Sequence, residues 1–199
     1  MKLILTRHGE TNDNLNKIIQ GHNPGELSKL GILQANKVAR RLKSEKINYI
    51  LSSDLARASD TTKIIAKLQE NVTIKFTKDL RERYMGKLQG KNIPDKWSER
   101  KYDFEFNNEY DGERWDQLYE RAKLFVKTVL PKFKGKTVLI VGHNQINQAI
   151  ILNLLDEPWE NVKDMKKMGN TSITEFEFDD NFVPLKKIFD CTDHLEDYI

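Results

Sequence analysis

The sequence predicts a three-layer α/β/α sandwich with a mostly parallel central sheet and a small inserted lid subdomain. Segments with strand-like and helix-like patterns alternate along the 199 residues, which is typical of α/β layer folds. Two of the strand-like segments, KLILT (2–6) and VLIV (138–141), carry continuous apolar runs. Such runs indicate parallel strands that are buried on both faces.

Each element has its own local signal. The predicted helices are 28–46, 55–69, 114–133 and 145–155. The first has Ser28 as its N-cap, and Ser53 or Asp54 is expected to cap the second. The predicted strands are 2–6, 47–53, 72–79, 137–144, 171–178 and 184–190, and the third alternates in a way that suits a sheet edge.

The helical periodicity also predicts which side chains face the core. The three stripes expected to be buried are Ile32, Ala35, Ala39 and Leu42; Ala58, Thr62, Ile65 and Leu68; and Trp115, Leu118, Ala122, Phe125 and Val129. The stripe that begins at Trp115 is interpreted as core packing rather than as a cofactor site.

Residues 85–112 lack such periodicity and mix aromatic with charged residues. We interpret them as a lid inserted into a single domain that spans 1–199, with an irregular surface excursion as the alternative. The tail either docks through Tyr198 and Ile199 or is loose, and the sequence leaves both open.

Composition narrows the class of protein. Thirty-three Lys and Arg residues against 30 Asp and Glu give a formal net charge of +3, so a nucleic-acid partner is not expected. No segment reaches the length of a membrane span, and no signal peptide is recognisable. The single cysteine and the scattered histidines argue against disulfides and metal sites. We therefore expect a cytoplasmic protein without cofactor, metal or membrane partner, either monomeric or homodimeric.

Two histidines follow the two apolar strands. His8 and Gly9 come after the first strand, and Gly142 and His143 end the second. Ligands of open α/β sheets bind beyond the carboxyl ends of the strands, so both histidines are expected at one edge if these strands are parallel neighbours.

Arginines are predicted at the same edge. Arg7 precedes His8, and Arg57 lies in the first turn of the helix that follows the strand 47–53. Together with His143 they form a pocket suited to phosphate, because the guanidinium fork matches its oxygens. Like charge disfavours protonation of His8, which stays neutral and nucleophilic near neutral pH. A phosphohistidine intermediate is therefore predicted.

The leaving alkoxide needs a proton, and Glu82 is the candidate acid. It follows the strand 72–79 and lies between Arg81 and Arg83, which favour its ionised form. Burial or a bound phosphate dianion is needed for it to hold a proton. Arg83 and Arg114 either face solvent or are recruited from the lid by a phosphorylated substrate, and His22 and His194 are assigned to the surface.

The sequence contains four motifs: LTRHGET..N, SSDLARA, L.E...G...G and VGHN. They occur in the order and spacing of the histidine phosphatase (phosphoglycerate mutase-like) superfamily. The chain resembles this superfamily from residue 3 to about 152. The resemblance implies that His8 is phosphorylated, that Arg7, Arg57 and His143 bind phosphate, and that Glu82 donates a proton. It also implies that Asn14 contacts phosphate and that Gln20 and Gly21 line the pocket. Asn144 completes the predicted substrate-binding set with Arg83.

Differences from the usual mutase sequence predict the branch of the superfamily to which the chain belongs. Mutases usually have Tyr, Lys and Gly where this chain has Met85, Ile93 and Asn144, and the paired arginines of their longer insertion are not evident. Pro24 and Glu26 also replace the Asp and Pro of many relatives. We therefore expect a metal-independent phosphomonoesterase acting on a small metabolite. A phosphoglycerate mutase and a non-catalytic phospho-ligand-binding module are the alternatives.

Overall fold

The computed structural model describes residues 1–93 and 109–198 of the chain. The strands are β1 (Lys2–Arg7), β2 (Tyr49–Ser53), β3 (Thr73–Thr77), β4 (Thr137–Gly142), β5 (Ile173–Phe178) and β6 (Pro184–Cys191). The α-helices are α1 (Asn12–Leu15), α2 (Lys29–Arg41), α3 (Ala56–Ala66), α4 (Trp115–Thr128) and α5 (Asn144–Leu154). Short 3₁₀ helices lie at Lys78–Leu80, Gly86–Leu88, Leu130–Phe133, Trp159–Asp164 and Asp193–Tyr198.

The strands of the described ranges form one sheet in the order β3-β2-β4-β1-β5-β6. The pairs β2–β3, β2–β4 and β1–β4 are parallel, and only β5 and β6 run antiparallel to their neighbours. The expectation that the two apolar strands are parallel neighbours is therefore confirmed, as is the edge position of β3. The register places Arg7 opposite Gly142, so His8 and His143 leave the sheet side by side.

Helices cover both faces of this sheet, which confirms the α/β/α layers. Side chains of β1 and β4 alternate between two apolar clusters, because successive residues of a strand point to opposite faces. Leu3 and Ile140 join α4 and α5 on one face, whereas Ile4 and Leu139 join α2 and α3 on the other. Both strands are therefore buried on both sides, as their continuous apolar sequence predicts.

Several helix boundaries differ from the expected ones. The helix α2 ends at Arg41 instead of residue 46, and α3 ends at Ala66 instead of residue 69. The Ser28 hydroxyl accepts the N–H of Gly31 and caps α2 as predicted, but neither Ser53 nor Asp54 caps α3. Its N-cap is Leu55, because Asp54 pairs with Arg81 instead. The segment 114–133 is also not one helix, since α4 ends at Thr128 and a 3₁₀ turn that contains Pro131 follows.

Two of the predicted core positions are wrong. Ile32 and Leu68 are 45% and 38% exposed. On α2 the inward position of the first turn belongs to Gly31, which packs so tightly that a Cβ there would lie 1.9 Å from the Glu10 carbonyl oxygen. Leu68 lies beyond the last residue of α3 and so leaves the helical face.

The predicted lid is only partly visible. Residues 94–108 of the expected 85–112 segment lie outside the described residues, so the lid stays a prediction. Its flanks hold a small apolar cluster in which Met85, Leu88 and Ile19 pack with Tyr110. At the other end of the chain, the 3₁₀ helix Asp193–Tyr198 packs against α2.

A membrane-spanning helix needs about 20 predominantly apolar residues. Within residues 1–93 and 109–198, no helix has both the length and the apolar character needed to cross a bilayer.

The layer formed by α4 yields a stability prediction. Leu118 is fully buried and Leu124, on the same helix, is 64% exposed. Leu118→Ala is expected to lower the free energy of unfolding by about 2–5 kcal/mol, because it removes apolar contacts and leaves a cavity. Leu124→Ala is the matched control, with a change within about 0.5 kcal/mol. Urea unfolding of both variants tests this, and equal effects would contradict the assignment of α4 to the core.

Candidate active site

The two histidines meet where β1 and β4 end. The main-chain N–H of His8 donates to the Gly142 carbonyl at 3.1 Å, which continues the parallel ladder by one residue. The rings of His8 and His143 lie edge to face, with centroids 5.1 Å apart. Both side chains are buried. Strand pairing therefore builds the histidine pair that the motifs predict.

The hydrogen bonds of His8 define its tautomer. Its Nδ1 lies 2.7 Å from the Gly9 carbonyl oxygen, which can only accept, so Nδ1 carries the proton. On the other side of the ring, Arg57 Nε donates to His8 Nε2 at 3.2 Å. Both contacts require the same neutral ring, in which the lone pair of Nε2 points towards the arginine.

Burial and positive charge keep the two histidines neutral. The pKa of His8 lies well below its ordinary value, first because the ring is desolvated and then because Arg57 and Arg7 repel its cation. Burial lowers the pKa of His143 in the same way, again with Arg57 as a second cause. A neutral His8 keeps the Nε2 lone pair free of a proton.

Arg57 is held by main-chain carbonyls of the loop 21–24. Its Nη1 donates to Asn23 O at 2.5 Å and to Pro24 O at 3.2 Å, and its Nη2 donates to Gly21 O at 2.8 Å. Burial lowers its pKa to about 10, so it remains a cation at neutral pH. Gly21 has φ +52°, and a Cβ there would overlap the Gln89 amide, so the loop needs glycine at this point.

Arg7 reaches the site from the end of β1. Its Nη1 donates to the Met168 carbonyl at 2.8 Å, while its buried Nε has no hydrogen-bond partner in the described part of the chain. A buried N–H without an acceptor is costly, and an anion in the site would supply the acceptor.

The carboxylate of Glu82 lies against the first turn of α5, directly after His143. Its oxygens accept the main-chain N–H groups of Gln145 and Ile146 at 3.1–3.3 Å, and that of Arg83 at 3.0 Å. A carboxylate suits a helix N-terminus, where amide N–H groups have no partner within the helix.

The arginines that flank Glu82 have contacts with other side chains. Arg81 forms a bidentate pair with Asp54 at 2.6–2.7 Å. Arg83 is fully buried, with its guanidinium 5.3 Å from the centre of the Trp115 ring, and it does not line the cavity described below. Arg114, half-buried, pairs with Asp116.

The main chain around Glu82 is held from α4 and from the loop 21–24. Arg121 donates to the carbonyls of Asp79 and Arg81 at 2.7 and 3.0 Å and pairs with Glu113. His22 Nε2 lies 2.8 Å from the Glu82 carbonyl oxygen. Sequence reasoning missed Arg121, and it placed His22 at the surface, whereas the side chain is half-buried.

These groups surround one cavity of about 180 Å³. The predicted residues that line it are Arg7, His8, Asn14, Gln20, Gly21, Arg57, Glu82 and Asn144. His143 lies behind His8 and is not part of the lining. The Asn14 side-chain oxygen accepts the Thr11 N–H at 3.2 Å, and Gln20 Nε2 donates to the Thr11 hydroxyl at 2.9 Å.

The cavity also has walls that no motif predicts. Gln145, Gln148 and Lys167 add polar groups, and Trp115 lines the cavity as well as packing in the core. The backbone next to Lys167 is anchored to α5, since Gln148 Nε2 donates to Lys166 O at 3.0 Å and the Met168 N–H donates to the Asn144 side chain at 2.8 Å. The connection 165–170 has no periodic pattern, so sequence analysis gave no reason to place it there.

Metal ions in proteins are commonly held by acidic, histidine and cysteine side chains. Across residues 1–93 and 109–198, no group of three or more of them is arranged to hold a metal ion.

The cavity brings a neutral histidine, two arginines and a carboxylate to one sheet edge, and the sequence as a whole identifies the family. The family model of the histidine phosphatase superfamily (branch 1) matches residues 3–190. The chain belongs to this superfamily. The resemblance predicted from the four motifs is thereby confirmed.

Relatives in the superfamily carry both phosphatase and mutase names. The chain is 32% identical to phosphoglycerate mutase-like protein 4 of Arabidopsis thaliana, over 98% of this chain and 87% of that protein. It is 36% identical to a metal-independent phosphoserine phosphatase of the same plant, over 77% of this chain and 68% of that protein. The crystal structure of an Entamoeba histolytica phosphoserine phosphatase in complex with 3-phosphoglyceric acid superposes with a TM-score of 0.82, 30% identity and 98% coverage of both chains.

The tautomer of His8 can be tested directly. Because burial and the two arginines lower its pKa, the ring is expected to stay neutral, with its proton on Nδ1, from roughly pH 6 to 8. Two-dimensional ¹H–¹⁵N NMR of the imidazole rings, assigned with His8→Asn, measures this. A His8 signal that titrates near the ordinary value of about 6.5 would contradict it.

Proposed function

We propose that the chain is a metal-independent phosphomonoesterase that hydrolyses a small phosphorylated metabolite through a phosphohistidine on His8. The observation that carries this proposal is the neutral tautomer of His8, whose Nε2 lone pair points into an arginine-lined cavity that also contains a carboxylate. That arrangement provides a nucleophile, cations for phosphoryl oxygens and a group that can exchange a proton.

In the first step, a phosphate monoester binds with its oxygens on Arg7 and Arg57. Arg57 then exchanges its bond to His8 Nε2 for one to the phosphoryl group, which releases the lone pair. Nε2 attacks phosphorus, a P–N bond forms, and the P–O bond to the leaving group breaks. The arginines stabilise the negative charge on the transferred oxygens, as fixed cations do in phosphoryl transfer.

Glu82 acts as proton donor to the leaving oxygen. It lines the same cavity as His8, and its amide partners on α5 orient it. The negative charge of a bound phosphate favours the protonated carboxyl group, which gives its proton to the departing alkoxide.

In the second step, water attacks the phosphohistidine. The ionised Glu82 accepts the proton from that water, the P–N bond breaks, and inorganic phosphate leaves with the neutral ring of His8 restored. Glu82 therefore ends the cycle protonated, as it began, because a proton from water replaces the one that it gave to the leaving group.

The names of the relatives agree with this reaction class. Phosphoserine phosphatases are among the proteins to which the chain is 30% or more identical over most of its length. The proposed partner of the chain is accordingly a small phosphomonoester, with Asn14, Gln20, Gly21 and Asn144 as further lining groups.

Loss of the nucleophile is the first test. His8→Ala is expected to abolish release of inorganic phosphate while still binding it, because Arg7 and Arg57 remain. The measurement is phosphate release from a panel of phosphomonoesters with a chelator present. His194→Ala, which removes a partly buried histidine outside the cavity, is the matched control and should retain activity.

Other outcomes of this assay would exclude the proposal. Near-normal turnover by His8→Ala would remove His8 as nucleophile. Isomerisation of phosphoglycerates without phosphate release would favour a mutase, and binding without turnover by the wild type would favour a binding module. Dependence on metal would contradict a metal-independent reaction.

The effect of removing the Glu82 carboxyl group on the reaction rate should depend on the leaving group. Glu82→Gln is expected to lower kcat/KM for an alkyl phosphate by about 10²- to 10⁴-fold, and far less for 4-nitrophenyl phosphate, whose phenolate departs without a proton. Steady-state kinetics with both esters measure this. The control is Glu120→Gln, whose side chain is 64% exposed. Equal losses with both esters would show that Glu82 does not donate the proton.

A further inference from the structure

We propose that His22 is a positioning residue that joins the phosphate-binding part of the site to the proton donor, by holding the main chain of Glu82. This inference rests on the proposed function, since it concerns how Glu82 is placed relative to the substrate. It assigns a role to a side chain that does not itself line the cavity.

The imidazole of His22 binds the peptide of Glu82 itself. Its Nε2 lies 2.8 Å from the Glu82 carbonyl oxygen, and because a carbonyl only accepts, Nε2 is the donor. Among the described residues, the other side-chain donor to this oxygen is Arg121 Nη2, at 3.4 Å. His22 therefore makes the shorter of the two bonds, and its ring also packs against Tyr84, with centroids 5.1 Å apart.

His22 is also connected to Arg57, through its neighbours in the loop 21–24. His22 belongs to the loop 21–24, in which the carbonyls of Gly21, Asn23 and Pro24 accept from the Arg57 guanidinium. One residue thus contacts the acid through its side chain and belongs to the loop that holds the phosphate-binding arginine.

The loop itself does not depend on the imidazole. The main-chain N–H of His22 donates to Gln89 Oε1 at 2.6 Å, a bond that survives any change of side chain except proline. Removing the ring should therefore leave Arg57 in place and displace Glu82. The carboxylate contacts to α5, at 3.1–3.3 Å, would then be the main determinants of where the acid lies.

The test uses two substitutions and two substrates. His22→Leu removes the donor, and His22→Gln places an amide N–H near the position of Nε2. With an alkyl phosphate, kcat/KM of His22→Leu should fall about 10- to 100-fold, since small displacements of catalytic groups have effects of that size. With 4-nitrophenyl phosphate, which needs no proton donor, the loss should stay below about threefold. His22→Gln should recover most of the alkyl activity.

A double-variant cycle tests whether His22 acts through Glu82. His22→Leu combined with Glu82→Gln should be no slower on the alkyl ester than Glu82→Gln alone, because groups that act as a unit are not additive. His194→Leu is the matched control and should leave the ratio of the two substrates unchanged. Thermal unfolding of each variant confirms that the comparison is made on folded protein.

Several outcomes would overturn the inference. Equal losses on both esters would assign His22 to the phosphate-binding part or to general stability. Additive losses in the cycle, or failure of His22→Gln to recover activity if it folds, would also exclude it. If the wild type hydrolyses neither ester, the proposed function is wrong, and this inference, which rests on it, is wrong as well.

Discussion

Parallel pairing of β1 with β4 is the constraint on which the candidate site depends. It sets Arg7 opposite Gly142, so that the next residue of each strand is a histidine at the same edge of the sheet. Both strands lie between two helical layers, and the apolar side chains that bury them also fix their register. A slip by one residue would reverse the faces of Leu3 and Ile4 and separate His8 from His143. The chemistry is therefore positioned by the same contacts that stabilise the core.

The polar part of the site is organised around main-chain groups. His8 donates to a carbonyl, Arg57 donates to three carbonyls, and the Glu82 carboxylate accepts from main-chain N–H groups. Apart from the bond between Arg57 and His8, these side chains are thereby oriented by main-chain groups. The positive charges of Arg57 and Arg7 act on His8, while the Glu82 carboxylate lies at the first turn of α5.

Much of this was readable from sequence because it depends on short-range patterns. Continuous apolar runs identified β1 and β4, and residues directly after a strand, such as His8, are placed by the strand itself. Ile32 was misassigned because periodicity alone does not show that Gly31 takes the inward position against Glu10. The contacts of Arg121 and His22 were not predicted, because both side chains bind main-chain carbonyls that are distant in sequence. Every residue has a carbonyl, so the residue types do not indicate such a contact. Lys167 was not predicted in the cavity because the connection 165–170 has no periodic sequence pattern.

The way in which the loop 21–24 holds Arg57 bears on how this loop can change through evolution. Every bond from the guanidinium to the loop ends on a peptide oxygen, so holding Arg57 requires the course of the backbone, with glycine at position 21, rather than particular side chains at Asn23 and Pro24. Pro24, for example, takes part through its main-chain carbonyl. Asn23 and Pro24 can therefore be exchanged for other residues that follow the same backbone course, at little cost to the position of Arg57.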